Sequence, residues 1–530
     1  MNNTYQNPII PGFYPDPSIC RVEEDYYLVT STFEFFPGLP IFHSKDLVNW
    51  RQIGHVLDRP SQLNLDRQLP SRGLYAPTIR YHDGTFYVIN TMVSGEAGNT
   101  IESENSCRNF IVTATDPAGP WSEPYWLDDA PGIDPSLFFD EDGRAWYTGN
   151  RIPPSGESYE GHREIWLQEL DLQTMLLISE KYSLWDGAVK GNLHAEAPHI
   201  HKKDGIYYLL IAEGGTGHYH AVTIARSENI IGPYENNHGN PVLTHRHLGE
   251  TYPIVGTGHS DIVETQNGDW WMVLLAMRPY DGYFYNLGRE TFLAPMTWDW
   301  GWPIVSPGIG KVDFTHERPN LPPHPWPEEP SRDDFNTDSL AFIWNFLRTP
   351  RKGFWSLSER AGHLRLRLRP EKLSEVVNPS FVGRRQQHIN FEATMKMEFS
   401  PQNNDESAGM VLLQNNDYHF RLMCMVGDGE TAVIKLIKRQ AGIETVLSSQ
   451  PITSSTLYLK ATAQGQAYSF YFGEAPDEWQ AIAENVDGRI LSTPVAGGFI
   501  GAYMGMYASS NGRSSTNVAD FDWFEYKGLD

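Results

Sequence analysis

The strongest constraint on the fold is an internal repeat in residues 1–318. A polar turn followed by a pair of aromatic residues recurs five times, and the first aromatic residue of the pair returns at intervals of 60, 60, 61 and 63 residues. Four of the five turns contain Asp-Gly or Asn-Gly between apolar runs, which is a strong hairpin signal. The aromatic residues that mark the repeat are Tyr26, Phe86, Trp146, Tyr207 and Trp270.

Five copies at this period predict a five-bladed β-propeller. A repeat of about 60 residues is the length of one four-stranded sheet, and such sheets pack radially around a common axis. A large β-sandwich with accidental spacing is the alternative interpretation. Because the whole chain has 530 residues, a further domain is expected after the repeats.

A proline-rich segment divides the chain. Six prolines lie between residues 319 and 330, which rules out helix and predicts an extended, rather stiff linker over residues 319–332. Downstream, residues 333–530 contain segments that alternate apolar and polar residues, as half-buried strands do. We therefore predict an all-β chain, with a propeller over residues 1–318 and a β-sandwich over residues 333–530.

Charge and composition exclude several functions. With 41 basic and 66 acidic residues, the chain has a formal net charge of −25, which argues against a nucleic-acid partner. It has no run of 18 apolar residues, so we expect no membrane partner. The first ten residues lack the features of a secretory signal, and the three cysteines are far apart in sequence. We therefore expect a reducing, cytoplasmic location. The sequence is also compatible with a homo-oligomer.

The repeat also predicts where functional side chains meet. Ten to twelve residues before each aromatic pair, at the start of the first hairpin strand, stand five residues with nearly the same period. The innermost strands of a propeller line its central channel, so equivalent positions on them meet as a ring at one mouth. The five residues are Asp16, Tyr75, Asp134, Glu196 and His259.

Three of these five residues are acidic, which points to acid–base chemistry. Like-charged carboxylates held close together push their pKa values apart, so one can stay protonated near neutrality. An acid and a base together can hydrolyse an acetal, and aromatic residues such as Phe33, Phe35 and Phe36 suit sugar rings, although packing between blades explains them too. A carboxylate cage for a cation, or Asp-Pro turns with a purely structural role, are the alternatives.

Six segments around these positions form a specific set. They are NPIIPGFYPDPS, APTIRYHDGTFY, GIDPSLFFDEDGR, AEAPHI, AEGGTGHYHAVTIARS and GRETFLAP. Together they resemble glycoside hydrolase family 43, in the branch with an appended C-terminal sandwich, over essentially the whole chain. The resemblance implies a five-bladed propeller that hydrolyses glycosidic bonds with inversion. It also implies a concanavalin-like sandwich that packs near the active-site mouth and narrows it, so that only chain ends or side branches enter.

By the same resemblance, the three carboxylates have separate roles. Asp16 in YPDPS corresponds to the general base that activates water, and Glu196 in HAEAPH corresponds to the general acid. Asp134 in GIDPS corresponds to the third carboxylate, which orients the acid and keeps its pKa raised. Inversion requires the base and the acid to be about 6.5–9.5 Å apart, with room for a water molecule between them.

The resemblance also implies substrate-binding residues. Arg289 in NLGRETF corresponds to an arginine that holds sugar hydroxyls, and a structural salt bridge with Glu290 is the alternative. Phe33 corresponds to an aromatic residue that packs on the terminal sugar. Tyr75 stands where related β-xylosidases often have Trp, and Tyr503 would be the contribution of the sandwich to the pocket.

Histidines are the candidates for metal binding. His259 in TGHSD corresponds to an axial histidine that in some family members contacts a bound cation, such as Ca²⁺, or an ordered water. A channel histidine without a metal is the alternative. His218 and His220 have a same-face strand spacing, and a structural role is favoured for them over metal ligation. The hydrolysis itself requires no cofactor.

The leading hypothesis is an exo-acting β-xylosidase whose binding partner is its substrate, a small xylo-oligosaccharide. The departure at Tyr75 makes an α-L-arabinofuranosidase a serious alternative, and dual activity is compatible with the sequence. A non-catalytic sugar-binding propeller is the remote alternative. Such a protein would be expected to lack at least one of the three carboxylates, whereas this chain has all of them.

Overall fold

Each of the five sequence repeats forms one antiparallel sheet. In the computed structural model, which describes residues 3–95, 106–189, 191, 193–427 and 431–529, these sheets have four or five strands each. The polar turn of each repeat joins the first two strands of its sheet, and the aromatic pair lies at the start of the second strand. The repeat therefore locates the hairpins correctly.

The five sheets are referred to as blades 1 to 5, in chain order. Blade 1 contains Ser18–Val22, Asp25–Val29, Gly38–Ser44 and Arg51–Leu57. Blade 2 contains Thr78–His82, Thr85–Val93, Cys107–Ala114, Tyr125–Leu127 and the short Gly73–Leu74. Blade 3 contains Ser136–Phe139, Ala145–Arg151, Glu164–Asp171, Leu176–Leu177 and Tyr182–Trp185. Blade 4 contains Glu196–Lys203, Ile206–Glu213, Ala221–Ser227 and Glu235–Asn236. Blade 5 contains Val255–Glu264, Trp270–Met277, Glu290–Asp299 and Trp302–Val305.

The blades form a closed ring. The first strand of each blade has Cα atoms within 8 Å of the first strand of the next blade, and Val255–Glu264 of blade 5 lies equally close to Ser18–Val22 of blade 1. The chain closes the ring a second time where Thr4–Gln6 pairs antiparallel with Thr315–Glu317. The predicted β-propeller is confirmed.

The C-terminal part of the chain is a sandwich of two antiparallel sheets. One sheet contains Arg332–Asp333, Trp355–Ser356, Leu364–Arg367, Phe391–Glu398, Thr456–Gln464, Ala467–Gly473, Gln480–Asp487 and Val518–Gly528. The other contains Ser380–Arg385, Ser407–Asn415, Tyr418–Val426, Ala432–Gln440, Ile443–Pro451 and Tyr503–Ser509. Side chains from both sheets share one apolar core, among them Phe391 and Met410. The predicted sandwich is confirmed.

The described helical segments of this fold are short. A 3-10 helix spans Gly488–Leu491, and an α-helical turn spans Thr493–Ala496. Within the described ranges, no helix has the length and apolar character needed to cross a membrane.

The proline-rich segment lies against blade 1. His324 donates its backbone N–H to Asp46 Oδ2 at 2.8 Å, and Trp326 donates its indole N–H to the Asn49 carbonyl at 3.2 Å. The Arg51 guanidinium lies 4.0 Å from the centroid of the Trp326 ring. Assigned strands end before this segment at residue 317 and resume after it at residue 332. The division at residues 318 and 333 stays a prediction.

The sandwich and the propeller share a packed interface. Phe346–Leu347 pairs antiparallel with Phe35–Phe36, a two-residue strand between the second and third strands of blade 1. The fully buried Arg348 donates its backbone N–H to the Glu34 carbonyl at 2.9 Å. The fully buried Arg385 donates its Nε to the Phe13 carbonyl at 2.7 Å. The two domains are therefore joined by backbone pairing and by two buried arginine residues.

Ring closure gives a prediction about stability. Asn7 is buried, and its side-chain amide donates to the Leu293 carbonyl at 2.9 Å and to the Asp313 carbonyl at 3.1 Å. Its amide oxygen accepts from the Leu293 N–H at 2.9 Å. Asn7→Ala leaves these backbone groups unsatisfied, so we expect the free energy of unfolding to fall by about 2–4 kcal/mol. Calorimetry against the neighbouring exposed variant Gln6→Ala, which should change it by less than about 0.5 kcal/mol, checks this. Equal stability of the two variants would contradict the assignment of Asn7 to ring closure.

Candidate active site

The five repeat-equivalent residues meet at one cavity. The cavity has a volume of about 260 Å³ and lies at the end of the ring where the inner strands begin. Phe33 and Arg289 line it together with the five, so the structure brings seven of the eight predicted site residues to one place. The five repeat-equivalent residues are Asp16, Tyr75, Asp134, Glu196 and His259.

The backbone is strained at three of these positions. Asp16, Asp134 and His259 have φ values of 56°, 53° and 45°, in the left-handed region that residues with a Cβ rarely adopt. Each of the two aspartates also precedes a proline, which disfavours helical backbone before it. Such conformations cost on the order of 1–3 kcal/mol each and persist only where the surroundings hold them. Three of the side chains that line the cavity therefore extend from strained backbone.

Asp16 is held as a carboxylate. Arg289 donates from Nη1 to Oδ1 at 2.7 Å and from Nη2 to Oδ2 at 3.4 Å, and the Ser31 hydroxyl donates to Oδ2. His259 Nδ1 lies 3.7 Å from Oδ1. Burial alone would raise the pKa of Asp16, but Arg289, His259 and the Ser31 hydrogen bond outweigh burial and lower that pKa below its ordinary value. Asp16 is therefore ionised near neutral pH and can accept a proton.

Glu196 and Asp134 have the opposite electrostatics. Burial and then the negative charge of Asp16 raise the pKa of Glu196 to about 7, although Arg289 and Arg163 act against them. Burial, followed by the charges of Glu196 and Asp16, raises the pKa of Asp134 well above its ordinary value. Because both pKa values are raised, the two groups hold at least one proton between them near neutral pH.

Arg289 bonds Asp16 and not its neighbour in sequence. Glu290 instead accepts from Arg278, at 2.7 Å from Nε and 2.9 Å from Nη2. Arg289 also donates to the Thr216 hydroxyl at 3.3 Å and to the Phe499 carbonyl at 3.4 Å. The structural alternative, a salt bridge between Arg289 and Glu290, is therefore not formed.

An aromatic wall forms one side of the cavity. The Phe33 ring centroid lies 5.2 Å from that of Tyr75 and 5.9 Å from that of Phe499, which belongs to the sandwich. The Tyr75 hydroxyl donates to the Ser71 carbonyl at 3.3 Å and accepts from Arg72 at 3.2 Å. The Phe499 N–H donates to the Ser71 hydroxyl at 2.9 Å. Both domains therefore build this wall, and the Ser71 segment joins them.

Tyr503 is the one predicted site residue that does not line the cavity, so that prediction is wrong. Its side chain is fully buried and stacks on Phe35 with 3.9 Å between ring centroids, and it also meets the edge of Phe13. Tyr503 begins a strand of the sandwich, which faces the interface, whereas the loop before that strand reaches the cavity. The sandwich residue in the cavity is Phe499.

Other cavity residues were not predicted. Ile133 is adjacent to the predicted Asp134, and His194 lies two residues before the predicted Glu196. Thr216 lies in the turn between the second and third strands of blade 4. The glycines of AEGGTGHYH were the only signal for that turn. His218 and His220 lie in the same turn and not on a strand, so their predicted strand spacing is wrong. His220 is buried, with Nδ1 3.0 Å from the Gly256 carbonyl.

The residues around His259 do not fit a metal ion held by protein side chains. Among the described residues, no group of three or more His, Cys, Asp or Glu side chains is arranged to hold a metal. The carboxylate beside His259 belongs to Asp16, which already accepts from Ser31 and from the positively charged Arg289. We therefore assign no step of the reaction to a cation.

Charged and polar side chains of the inner strands bond one another between the blades. Asp261 accepts from Arg80 at 2.8 Å and from the Ser18 hydroxyl at 2.8 Å, and His201 Nε2 lies 3.1 Å from it. Arg80 also donates to His199 Nδ1 at 2.9 Å. Pairing and hydrogen bonding of this kind are what buried charges require. These contacts join the first strands of blades 1, 2, 4 and 5.

An ionised carboxylate and a carboxyl group with a raised pKa at one cavity are the pair that acid–base cleavage of an acetal requires, and an aromatic wall beside them suits a sugar ring. Together with the propeller and the sandwich, they define a glycoside hydrolase.

Comparison with known proteins gives the particular family. Residues 5–303 match the model of glycosyl hydrolases family 43, and residues 332–527 match the β-xylosidase C-terminal concanavalin A-like domain. The chain belongs to glycosyl hydrolases family 43.

Three similar proteins cover nearly the whole chain. A xylosidase/arabinosidase of Butyrivibrio fibrisolvens is 45% identical over 523 residues, which cover 98% of each chain. A non-reducing end α-L-arabinofuranosidase of Bacteroides ovatus is 42% identical over 530 residues, which cover 99% of this chain and 95% of that protein. The crystal structure of a xylan β-1,4-xylosidase from Bacillus halodurans C-125 has a TM-score of 0.93 at 38% identity and covers 99% of this chain and 100% of its own.

The raised pKa of Glu196 predicts a pH-dependent stability. A carboxyl group whose pKa is about 7 in the folded state and 4.5 in the unfolded state lowers the free energy of unfolding as the pH rises through that interval. Glu196→Gln lacks this charge, so we expect its Tm to match the wild-type value near pH 5 and to exceed it by about 2–5 °C at pH 8. Calorimetry at both pH values tests this, with the exposed variant Glu228→Gln as control. A Tm difference that does not change with pH would show that ionisation of Glu196 is not opposed by its surroundings.

Proposed function

We propose that this protein is an exo-acting, inverting hydrolase that releases xylose from the non-reducing ends of β-1,4-xylo-oligosaccharides. The observation that carries the proposal is the opposed ionisation of Asp16 and Glu196 at one cavity, since the pKa is lowered for one and raised to about 7 for the other. A base and an acid are thereby present together at neutral pH.

In the proposed reaction, Asp16 takes a proton from a water molecule whose oxygen attacks the anomeric carbon. Glu196 gives its proton to the glycosidic oxygen while the bond between that oxygen and the anomeric carbon breaks. The new bond forms on the face opposite the leaving group, so the released sugar has the inverted configuration. Asp16 ends protonated and Glu196 ends ionised, and proton exchange with solvent restores both groups.

Asp134 and Arg289 support these two steps in the proposal. Asp134 is close enough to Glu196 for the charge of Glu196 to help raise the pKa of Asp134, and in the proposal Asp134 orients the acid. Arg289 keeps Asp16 ionised through two hydrogen bonds. Arg289 also lines the cavity, where a guanidinium group can donate to sugar hydroxyls.

The shape of the cavity supports removal of a terminal sugar. In the proposal, the bonded cluster around Arg80 and Asp261 obstructs the channel axis, so that a linear chain does not thread through the propeller. Phe33, Tyr75 and Phe499 offer apolar faces to a sugar ring. Because Phe499 comes from the sandwich, the second domain narrows the entrance. Such a cavity accepts the end of an oligosaccharide.

The experiment that tests this function is proton NMR of the protein acting on xylobiose, with the anomeric signals followed from the first minutes. Early appearance of α-xylose is the expected result, since inversion of a β-linkage gives the α-anomer. Early β-xylose would mean retention, and Asp16 could not then be the general base. Absence of cleavage would favour arabinofuranosyl side groups as the substrate.

Release of α-L-arabinofuranosyl groups is the second candidate function. Tyr75 carries a hydroxyl in the cavity wall that is already bonded to Ser71 and Arg72, so the wall differs from one built with Trp. Two of the similar proteins are named for arabinosidase or arabinofuranosidase activity. Turnover of aryl β-xyloside and aryl α-L-arabinofuranoside under identical conditions separates the candidates, and a large preference for the arabinoside would reverse their order.

The acid assignment predicts a dependence on the leaving group. Glu196→Gln cannot protonate the glycosidic oxygen, so we expect kcat on xylobiose to fall by about 10²–10⁴-fold. An activated aryl leaving group needs less protonation, so kcat on the aryl glycoside should fall much less. Asp16→Asn should instead lose activity on both substrates, because the attack of water is common to them. An equal loss on both substrates in Glu196→Gln would contradict its role as the acid.

The opposed pKa values predict a bell-shaped pH profile. We expect kcat/KM to decline as the pH rises through about 7, because Glu196 then loses the proton it must donate. The acidic limb should lie below the ordinary pKa of an aspartate, because Asp16 stays ionised to lower pH. Rates on xylobiose between about pH 2.5 and 9 test both limbs, because its leaving group needs the proton of Glu196. Persistence of the same alkaline limb in Glu196→Gln would assign that limb to another group.

A further inference from the structure

The segment that carries Arg289 is held by the second domain. Residues 278–289 connect the second and third strands of blade 5 and pass along the sandwich. Near the start of this connection, Asp281 Oδ2 accepts from the backbone N–H of Gln466 at 2.7 Å. Gly465 packs so closely on Asp281 that a Cβ there would lie 2.2 Å from its carboxylate oxygen. The sandwich therefore fixes the connection well before Arg289.

Asn286 is the centre of this contact and is fully buried. It forms a reciprocal amide pair with Gln466, in which Asn286 Nδ2 donates to Gln466 Oε1 at 3.2 Å and Gln466 Nε2 donates to Asn286 Oδ1 at 3.0 Å. Asn286 Nδ2 also has the Tyr468 hydroxyl and the Gly488 carbonyl at 3.1 Å, so its two protons are shared among three acceptors. The Ala502 N–H donates to the Asn286 carbonyl at 2.7 Å.

Two glycines continue the contact up to Arg289. Gly288 and Gly501 pack directly on each other, because a Cβ on Gly288 would lie 2.8 Å from the Gly501 Cα. A Cβ on Gly501 would lie 2.6 Å from the Leu287 carbonyl oxygen. Arg289 follows, and its Nε donates to the Phe499 carbonyl at 3.4 Å. The sandwich thus contacts the chain at Asn286, at Gly288 and at the guanidinium itself.

We propose that Asn286 is a positioning residue through which the sandwich domain sets the place of Arg289 against Asp16. The proposal rests on the proposed function, in which Asp16 is the general base. Asn286 carries no charge and is not among the residues that line the cavity, so its effect on catalysis passes through Arg289. The second domain then acts on the chemistry itself in addition to shaping the entrance.

The physical link is the dependence of a buried ion pair on geometry. The two bonds between Arg289 and Asp16 measure 2.7 and 3.4 Å, and charge-assisted bonds of this kind weaken with small displacements. Where burial opposes the ionised carboxylate, a looser guanidinium lets Asp16 take up a proton at higher pH. Loss of the Asn286 contacts should therefore move the acidic limb of the pH profile.

The test is Asn286→Ala in the full-length protein. We expect the acidic limb of kcat/KM, measured on whichever aryl glycoside the protein cleaves faster, to move up by about 0.5–1 pH unit. We expect kcat/KM at the optimum to fall by about 5–30-fold, and the alkaline limb to stay in place. Hydrogen exchange should become faster over residues 280–289. Gln466→Ala removes only one partner, so it should shift the same limb by less, and it decides the question if Asn286→Ala does not fold.

The matched control is Asn416→Ala. Asn416 is also a buried asparagine of the sandwich, with bonds to the Leu373 and Glu375 carbonyls and to Arg348, and none of these partners belongs to the segment before Arg289. This variant should lose stability without moving the acidic limb. A limb that moved as far in Asn416→Ala as in Asn286→Ala would mean a general loss of packing and would overturn the proposal.

Arg289→Gln, which removes the positive charge, separates failure of the positioning proposal from failure of the proposed function. If Arg289→Gln moves the acidic limb while folded Asn286→Ala and Gln466→Ala do not, Asn286 does not position Arg289 and the function stands. If Arg289→Gln also leaves the limb in place, Asp16 is not the group that titrates there. The base assignment and the positioning proposal would then both be wrong.

Discussion

The ion pair between Asp16 and Arg289 is the interaction on which the rest of the site depends. Its members are 273 residues apart in the chain, and they meet where the last blade of the ring closes against the first. The pair keeps Asp16 ionised, and the charge of Asp16 in turn helps to raise the pKa of Glu196. One contact therefore connects closure of the ring with the ionisation of both the base and the acid.

Much of the fold and the core of the site could be predicted because the propeller is periodic. Each blade begins with the same hairpin, so a residue at a constant distance before the aromatic pair lies at the start of an inner strand. This argument located Asp16, Asp134 and Glu196 from spacing alone. It does not depend on the conformation of any loop, and for that reason it succeeds from one sequence.

The remaining parts of the site come from segments that do not repeat. Phe499 reaches the cavity from a loop of the sandwich, and Thr216 reaches it from an inner turn of blade 4. Their places depend on how two domains pack and on how one turn folds, which no spacing in the sequence encodes. The prediction that Tyr503 lines the cavity is wrong for the same reason. Tyr503 lies four residues beyond Phe499, where a strand begins and side chains face the interface.

The double closure of the ring bears on when the protein becomes active during its synthesis. The strand Thr4–Gln6 is made before the five blades, but its partner Thr315–Glu317 follows more than 300 residues later. Phe499 comes later still, in the sandwich that follows the propeller along the chain. Domains generally fold as units while the chain emerges, and contacts distant in sequence form late. A ribosome that has finished the propeller carries an incomplete pocket, so hydrolytic competence arises only after the sandwich segment around Phe499 has been made.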